Sequence, residues 1–583
     1  MQPETIEIKY RAHNSDIISE SIDFSLGEIT SPRGITFHLS SSKLGSGTKI
    51  DLNVANNTGA PVRVRHVSIR FESKVKKVIE NGYQSWSPVL RTAPGAVNEA
   101  RLSQAPFMLG TNFADIHSIK SQPGIDQYLI ARCQDNDIAM VFLDGRKHLG
   151  TFDLDDSHIG ARSLLDDIEL ADSENRSLSP LWFGKGRAGQ LFSELATLWG
   201  QHCNARANSY SPVGWCSWYQ YFAEIKPEMI DKAIDLSKGR KIDLIQLDDG
   251  YQSQIGDWLE PNESWLNRYP QIAKVIKENG FIAGIWTAPF LVGEKSKLIE
   301  NHPEWIAKTS GGDKLLEAVY NPMSWGGWTY ALDTTHEGAL DYLRETFSKL
   351  KEEGFDYHKI DFCFSATLEG SRIRDKEMTR AQALYEGIKA VREGIGDDAF
   401  LLGCGCPFGP AVGLVDAMRV SPDTAPFYSP MGSVGGFEES SPAAKNAITA
   451  SLLRSPLHRR VFINDPDCLL LRPSSIVMSE KEREILRATV LGSGSYLVIS
   501  DDLELYGEKQ FQMLADTIAL GNPNEVLDIE DPFATPLTIN SHSYTLSIDP
   551  WGETSPEIDL ERETVIEAVE QDGPWALLFK ADR

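Results

Sequence analysis

The run Tyr357-His358-Lys359-Ile360-Asp361-Phe362 is a short apolar segment that sets a lysine and an aspartate two positions apart. Successive side chains of a strand alternate between faces, so Lys359 and Asp361 share one. After Ser211 the chain repeats this grammar at Val213–Trp218, Leu244–Leu247, Phe281–Trp286, Phe400–Gly403, Ala417–Val420, Val461–Ile463 and Tyr496–Ser500. Helical stretches lie between these runs, such as Pro227–Ser237, where proline opens the helix, and Ala443–Leu453. Eight short strands alternating with helices predict a parallel sheet closed as a (β/α)8 TIM barrel.

Such a barrel gathers its chemistry at the C-terminal ends of the strands. There the chain places Trp215, Trp218 and Tyr219, then Asp248 and Asp249, Trp286, Lys359 with Asp361, Cys404, Arg419 with Asp423, the run Asn464–Asp467, and Asp501 with Asp502. Lys359 and Asp361 are the anchor, with a buried ion pair as the alternative. Asp248-Asp249-Gly250 is also good turn chemistry, and Asp423 reads equally well as a helix N-cap. Asn464–Asp467 (NDPD) has a turn signature and is expected to be a structural loop. Trp215, Trp218 and Trp286 are either core or an apolar wall for a sugar ring.

Outside this region the pattern is period-two alternation. Residues 1–195 are expected to form a β-sandwich, with a hairpin at Tyr128–Leu143 turning at Asp135–Asp137. Within it Val62 and Val64 fall out of register with Val67, Ile69 and Phe71, which predicts a bulge. Residues 196–515 form the barrel, and 516–583 a small antiparallel β domain containing Pro536–Ile548 and Trp575–Lys580. The expected fold class is therefore α/β, a central TIM barrel with a β domain at each end.

Composition narrows the ligand. The 583 residues are 41% hydrophobic and 24% charged, which is globular, and the net charge is −26. That sign disfavours nucleic acid and anionic membranes as partners and favours a neutral or cationic small molecule. Seven cysteines, an odd number spread along the chain, read as reduced thiols. With no basic and apolar leader in MQPETIEIKYR, a cytoplasmic location is expected. The uncharged stretch Ala399–Val415 is too rich in glycine and proline for a membrane helix and reads as a buried strand plus loop. Neither a metal centre nor a cofactor is expected, because Cys363, Cys404, Cys406 and His358 lack ligand spacing and no phosphate-cradling glycine loop is present. Crowded carboxylates with aromatics around a neutral ligand are what glycoside hydrolysis needs, one carboxylate ionised and one protonated. Lys359 would keep Asp361 ionised, and neighbouring acids would raise a partner.

Seven stretches, in order, resemble glycoside hydrolase family 36, the α-galactosidases, and are most similar to its compact bacterial and thermophilic-type members. They are Gly82–Ser87 (GYQSWS), Gly214–Tyr219 (GWCSWY), Gln246–Tyr251 (QLDDGY), Gly284–Trp286 (GIW), Lys359–Phe362 (KIDF), Gly403–Gly405 (GCG) and Arg419–Thr424 (RVSPDT). The resemblance spans nearly the whole chain and implies a retaining hydrolysis of small α-galactosides such as melibiose or the raffinose series. In it Asp361 is the nucleophile and Asp423 the general acid and base, with their carboxyls about 5–5.5 Å apart. Asp248 and Asp249 would hold the sugar's 4- and 6-hydroxyls, and Lys359 and Arg419 the remaining ones. Trp218, Tyr219 and Trp286 would line the pocket, Trp86 would close its rim, and Cys404 would lie near the 2-hydroxyl. The alternatives on the same scaffold are an α-glucosidase, an α-N-acetylgalactosaminidase or a galactosyl transglycosylase. A non-catalytic sugar binder would be expected to have lost one carboxylate. Two β domains stacked on a barrel also leave room for a homo-oligomer.

Overall fold

The computed structural model describes residues 3–12, 16–93, 125–155, 157–431, 438–439, 441–494, 496–557, 562–570 and 573–581. Its centre is the expected barrel. The strands are β1 (Gly214–Cys216), β2 (Leu244–Leu247), β3 (Ile282–Thr287), β4 (Tyr357–Ile360), β5 (Phe400–Gly403), β6 (Ala417–Arg419), β7 (Ile463–Asp465) and β8 (Val498–Ile499). All pair in parallel, in the order β7-β6-β5-β4-β3-β2-β1-β8. The ring closes through Leu469, beyond β7, whose N–H donates to the Val498 carbonyl at 2.8 Å. Buried on both faces, these strands are near-continuous apolar runs, and β2 is buried throughout. The sequence runs overshoot the paired segments: Val213–Trp218 contracts to Gly214–Cys216, because Ser217 already leads into a short helix, Trp218–Tyr221.

The helices obey their terminal chemistry. Pro227 opens Pro227–Ser237. Thr379 caps Arg380–Ile395 in a capping box with Gln382. Residues 399–415 are β5 followed by a loop and one helical turn, Phe408–Ala411, all buried there. Among the described residues no helix is long and apolar enough to cross a membrane.

The N-terminal domain is a sandwich of a six-stranded and a nine-stranded sheet, its antiparallel strands enclosing Ile6, Phe37, Val54, Val64, Phe71 and Met140. The bulge lies at Arg65: His66 pairs with Lys9 on one side and Leu164 on the other, and the next pairs are made by Val64. Arg65, skipped in both ladders, donates to Asp167 of its own sandwich at 2.9 Å and reaches across to Glu369, in the loop after β4, at 3.0 Å. The helices Ala188–Cys203 and Glu508–Leu520 run across the positions where the sequence pattern changes. The C-terminal domain is a five-stranded antiparallel sheet in which Pro536–Ile548 resolves into two paired strands, Leu537–Asn540 and Tyr544–Asp549, and Trp575–Lys580 is a third. A small three-stranded antiparallel sheet, Leu291–Gly293, Glu317–Asn321 and Gly327–Ala331, is inserted after β3.

Candidate active site

The strand ends bring the predicted side chains together in one mouth. Asp361 follows β4, its N–H donating to the Thr287 carbonyl at 2.8 Å, so its carboxylate sits at the rim of the sheet. Trp286 Nε1 donates to Asp361 Oδ2 at 3.0 Å and the Phe362 N–H donates to Oδ1 at 2.9 Å. Phe362 adopts φ 53°, a left-handed conformation that is unfavourable for an aromatic residue and is often found where a site needs it. Two donors from different elements thus fix the carboxylate's orientation.

Lys359, on the same face of β4, donates to Asp248 Oδ2 at 3.0 Å. Burial alone would pull an ammonium down, yet Asp248 and Asp361 hold Lys359 well above its ordinary value, so it stays charged. Asp248 also accepts from Gln246 Nε2 at 2.6 Å, from the Cys216 thiol at 3.4 Å and from the Asp249 N–H at 3.0 Å. The following turn needs Gly250, with φ 119°, because a Cβ there would lie 2.7 Å from the Ala223 carbonyl oxygen. Asp249 accepts from Gln252 Nε2 at 2.6 Å and from Trp325 Nε1 at 2.8 Å. Burial pushes its carboxyl up to about 6, against those two donors and with help from the charges of Asp248 and Asp361.

Across the mouth, Arg419 at the end of β6 bonds three carboxylates: Asp465 through Nε at 3.1 Å, Asp423 through Nη1 at 3.1 Å and Asp467 through Nη2 at 2.8 Å. Asp423 is not the cap of a regular helix but an acid in a loop. Burial pushes its carboxyl up to about 7, reinforced by Asp467 and Asp361 and opposed by Arg419 and Lys359. Its side chain is still 36% exposed at the mouth, so water reaches it and tempers the burial contribution.

Tyr219 is buried, with its hydroxyl on Asp467 and its N–H donating to Ser500 Oγ at 2.8 Å. Trp218 stands partly open beside it, edge-on to Phe222 at 5.2 Å. Cys404 is buried after β5, and burial together with Asp361 holds its thiol neutral, well above the usual range. Trp86 reaches the site from the sandwich and packs edge-on against Phe362 at 4.7 Å. Gly405 permits this approach, since a Cβ there would lie 3.1 Å from the Trp86 ring and 3.0 Å from the Phe362 nitrogen.

Two readings change and one left open is settled. Trp215 is core: it is 1% exposed and its Nε1 donates to the Asp501 carbonyl at 2.9 Å. Asp501 is buried and takes a structural part, tied to Arg472 at 2.7 Å and to the Leu471 N–H at 2.6 Å. The NDPD run is not a separate loop: β7 extends through Asp465, and Asp467 accepts from Arg419, Tyr219 and the Thr424 N–H. Trp325 was not marked by the sequence at all, although Asn321-Pro322 and Gly326-Gly327 around it signal tight turns.

Comparison with known proteins agrees with this layout. Residues 198–395 match the family model described as melibiase. The α-galactosidase AgaA of Geobacillus stearothermophilus is 27% identical over 175 residues, 29% of this chain and 23% of its own. The bifunctional α-galactosidase/sucrose kinase AgaSK of Mediterraneibacter gnavus is 32% identical over 92 residues, 14% of this chain and 10% of its own. These alignments thus span less than a quarter of either relative. In structure the chain is similar to the Thermus thermophilus α-galactosidase TtGalA, solved with p-nitrophenyl α-D-galactopyranoside, at TM-score 0.67 and 22% identity over 89% of this chain and 97% of that one. It is also similar to the family 36 α-galactosidase AgaA of G. stearothermophilus, at TM-score 0.64 and 13% identity over 99% of this chain and 89% of that one. This chain therefore carries a melibiase domain and is built on the fold of the glycoside hydrolase family 36 α-galactosidases.

Proposed function

We propose that this protein is a retaining α-galactosidase acting on terminal α-D-galactosyl residues of small α-galactosides. The observation that carries the reading is the contrast between two carboxylates of one mouth. Asp361 is oriented by Trp286 and the Phe362 N–H, beside the charged Lys359, while Asp423 is pushed up to about 7. A carboxylate fixed by two donors facing an acid that keeps its proton near neutrality divides the roles of nucleophile and proton donor.

In the first step Asp361 attacks the anomeric carbon and forms a β-linked glycosyl-enzyme, while Asp423 gives its proton to the departing glycosidic oxygen. In the second, the Asp423 carboxylate takes a proton from water, the water oxygen attacks the same carbon, and Asp361 leaves as a carboxylate, so the α configuration is restored. Asp248 and Asp249, braced by Lys359, Gln246, Gln252 and Trp325, would read the hydroxyls at positions 4 and 6. Trp218, Tyr219 and Trp286 would line the pocket, and Trp86 would close its rim. The free thiols of Cys133, Cys203, Cys216, Cys363, Cys404, Cys406 and Cys468 support a reducing compartment such as the cytoplasm as the place of action.

The test is turnover of paired p-nitrophenyl α-galactoside and α-glucoside by the wild-type protein. Cleavage of the galactoside with little of the glucoside is the expected result. Equal or better glucoside cleavage would reassign the sugar and with it the roles of Asp248 and Asp249.

A further inference from the structure

Arg454 closes the helix Ala444–Leu453 and is completely buried, yet among the described residues its hydrogen-bond partners are neutral oxygens, the Tyr128 hydroxyl included. Its Nε donates to Asn81 Oδ1 at 3.0 Å, Nη1 to the Ser85 carbonyl at 2.8 Å and the Val420 carbonyl at 2.8 Å, and Nη2 to the Ser87 carbonyl at 3.3 Å. The guanidinium also lies over the Phe408 ring at 4.9 Å. Burying a cation without an anion is unfavourable, and burial lowers its pKa to about 10. A residue held there at such a cost is informative through what its acceptors belong to.

Ser85 and Ser87 flank Trp86, whose ring packs on Phe362 next to Asp361. Ser85 is also paired in both directions with Cys406, donating its N–H at 3.1 Å and accepting the Cys406 N–H with Oγ at 3.2 Å. Val420 follows Arg419, three residues before Asp423, and its N–H donates to the Asp465 carbonyl at 2.9 Å. One planar fork therefore grips the sandwich loop that carries the rim tryptophan and the barrel segment that leads to the acid. The forked geometry of arginine suits this, and lysine cannot reproduce it.

We propose that Arg454 is a positioning residue that sets the Trp86 loop and the Asp423 segment relative to each other, so that the N-terminal domain helps aim the proton donor. The proposal rests on the retaining α-galactosidase reading. It separates from a merely structural role through the leaving group. A sugar alcohol needs protonation as it departs, whereas nitrophenolate does not, and kcat/KM reports only the steps up to its departure.

Arg454→Lys, with its fold checked by circular dichroism, is predicted to lower kcat/KM on raffinose by about tenfold, part of the hundredfold or more that a well-placed general acid supplies. On p-nitrophenyl α-galactoside the loss is predicted to stay below about threefold, because that acid is not needed there. Asn81→Ala, which removes one acceptor and leaves the guanidinium in place, carries the same prediction with a smaller gap and serves if the arginine variant fails to fold. Equal losses on the two substrates, or none on either, would overturn the proposal. Inactivity of the wild type on both would overturn the proposed function instead, and this inference with it.

Discussion

Lys359 Nζ and Asp248 Oδ2 meet at 3.0 Å with their side chains only 8% and 2% exposed, joining β4 to the loop after β2. Asp248 helps hold the Lys359 charge in a place where a lone ammonium would be unfavourable. Lys359→Met should therefore cost about 3–5 kcal/mol of unfolding free energy, the usual penalty for stranding one member of a buried pair. Denaturant unfolding checks this. Combining it with Asp248→Asn should restore most of the stability and none of the activity, and full additivity of the two losses would contradict the pairing.

A second prediction concerns pH. Asp423 must be protonated to act as acid, so kcat/KM on raffinose, whose leaving group needs that proton, should fall as pH rises through about 7. Asp467→Asn removes a negative charge that raises Asp423 and also leaves Arg419 freer to lower it. Both changes act in the same direction, and the basic limb of the profile should move to lower pH.

The same group sets a stability trend. Its folded pKa of about 7 lies above the ordinary carboxyl value of 3.8, so the folded state binds that proton more tightly. The contribution is fully present below about pH 4 and is lost as pH rises through 7. Asp423→Asn should then melt at a higher temperature than wild type at pH 8, with the difference shrinking toward pH 4. A constant difference across that range would contradict the raised value.

Trp325 carries a fourth expectation. Its indole N–H donates to Asp249 Oδ2 at 2.8 Å and its ring lies edge-on to Phe362 at 5.0 Å. Trp325→Phe keeps an aromatic ring against Phe362 and deletes the donor. A hydrogen bond to a charged group is worth about 1.5–3 kcal/mol, so kcat/KM on an α-galactoside should fall by roughly ten- to a hundredfold. The loss should shrink on the analogue lacking the hydroxymethyl group if Asp249 reads position 6.

What the sequence made legible follows from periodicity and local chemistry. Lys359 and Asp361 were visible because strand alternation alone places them on one face. The Arg65 bulge was visible because a slipped alternation leaves a written trace. Helix Pro227–Ser237 announced its own start. Trp215 stayed open between core and wall because a tryptophan in a strand looks the same whether it faces the mouth or the surrounding helices. Asp467 was hidden because Asn-Asp-Pro-Asp spells a turn, and only the three-dimensional neighbourhood of Arg419 turns it into an electrostatic partner of Asp423. Trp325 lies on an excursion of some forty residues after β3 that folds into its own small sheet, and nothing local connects it to Asp249. Long-range pairing of this kind is set by topology, not by spacing.

The most direct test of the central claim is the anomer of the first product. Followed by NMR during cleavage of p-nitrophenyl α-galactoside, the wild-type protein should release α-galactose first, with β-galactose appearing only by mutarotation, and Asp361→Ala should release none while remaining folded. β-Galactose as the first product, or turnover near the wild-type rate by Asp361→Ala, would contradict the assignment of Asp361 as the nucleophile of a double displacement.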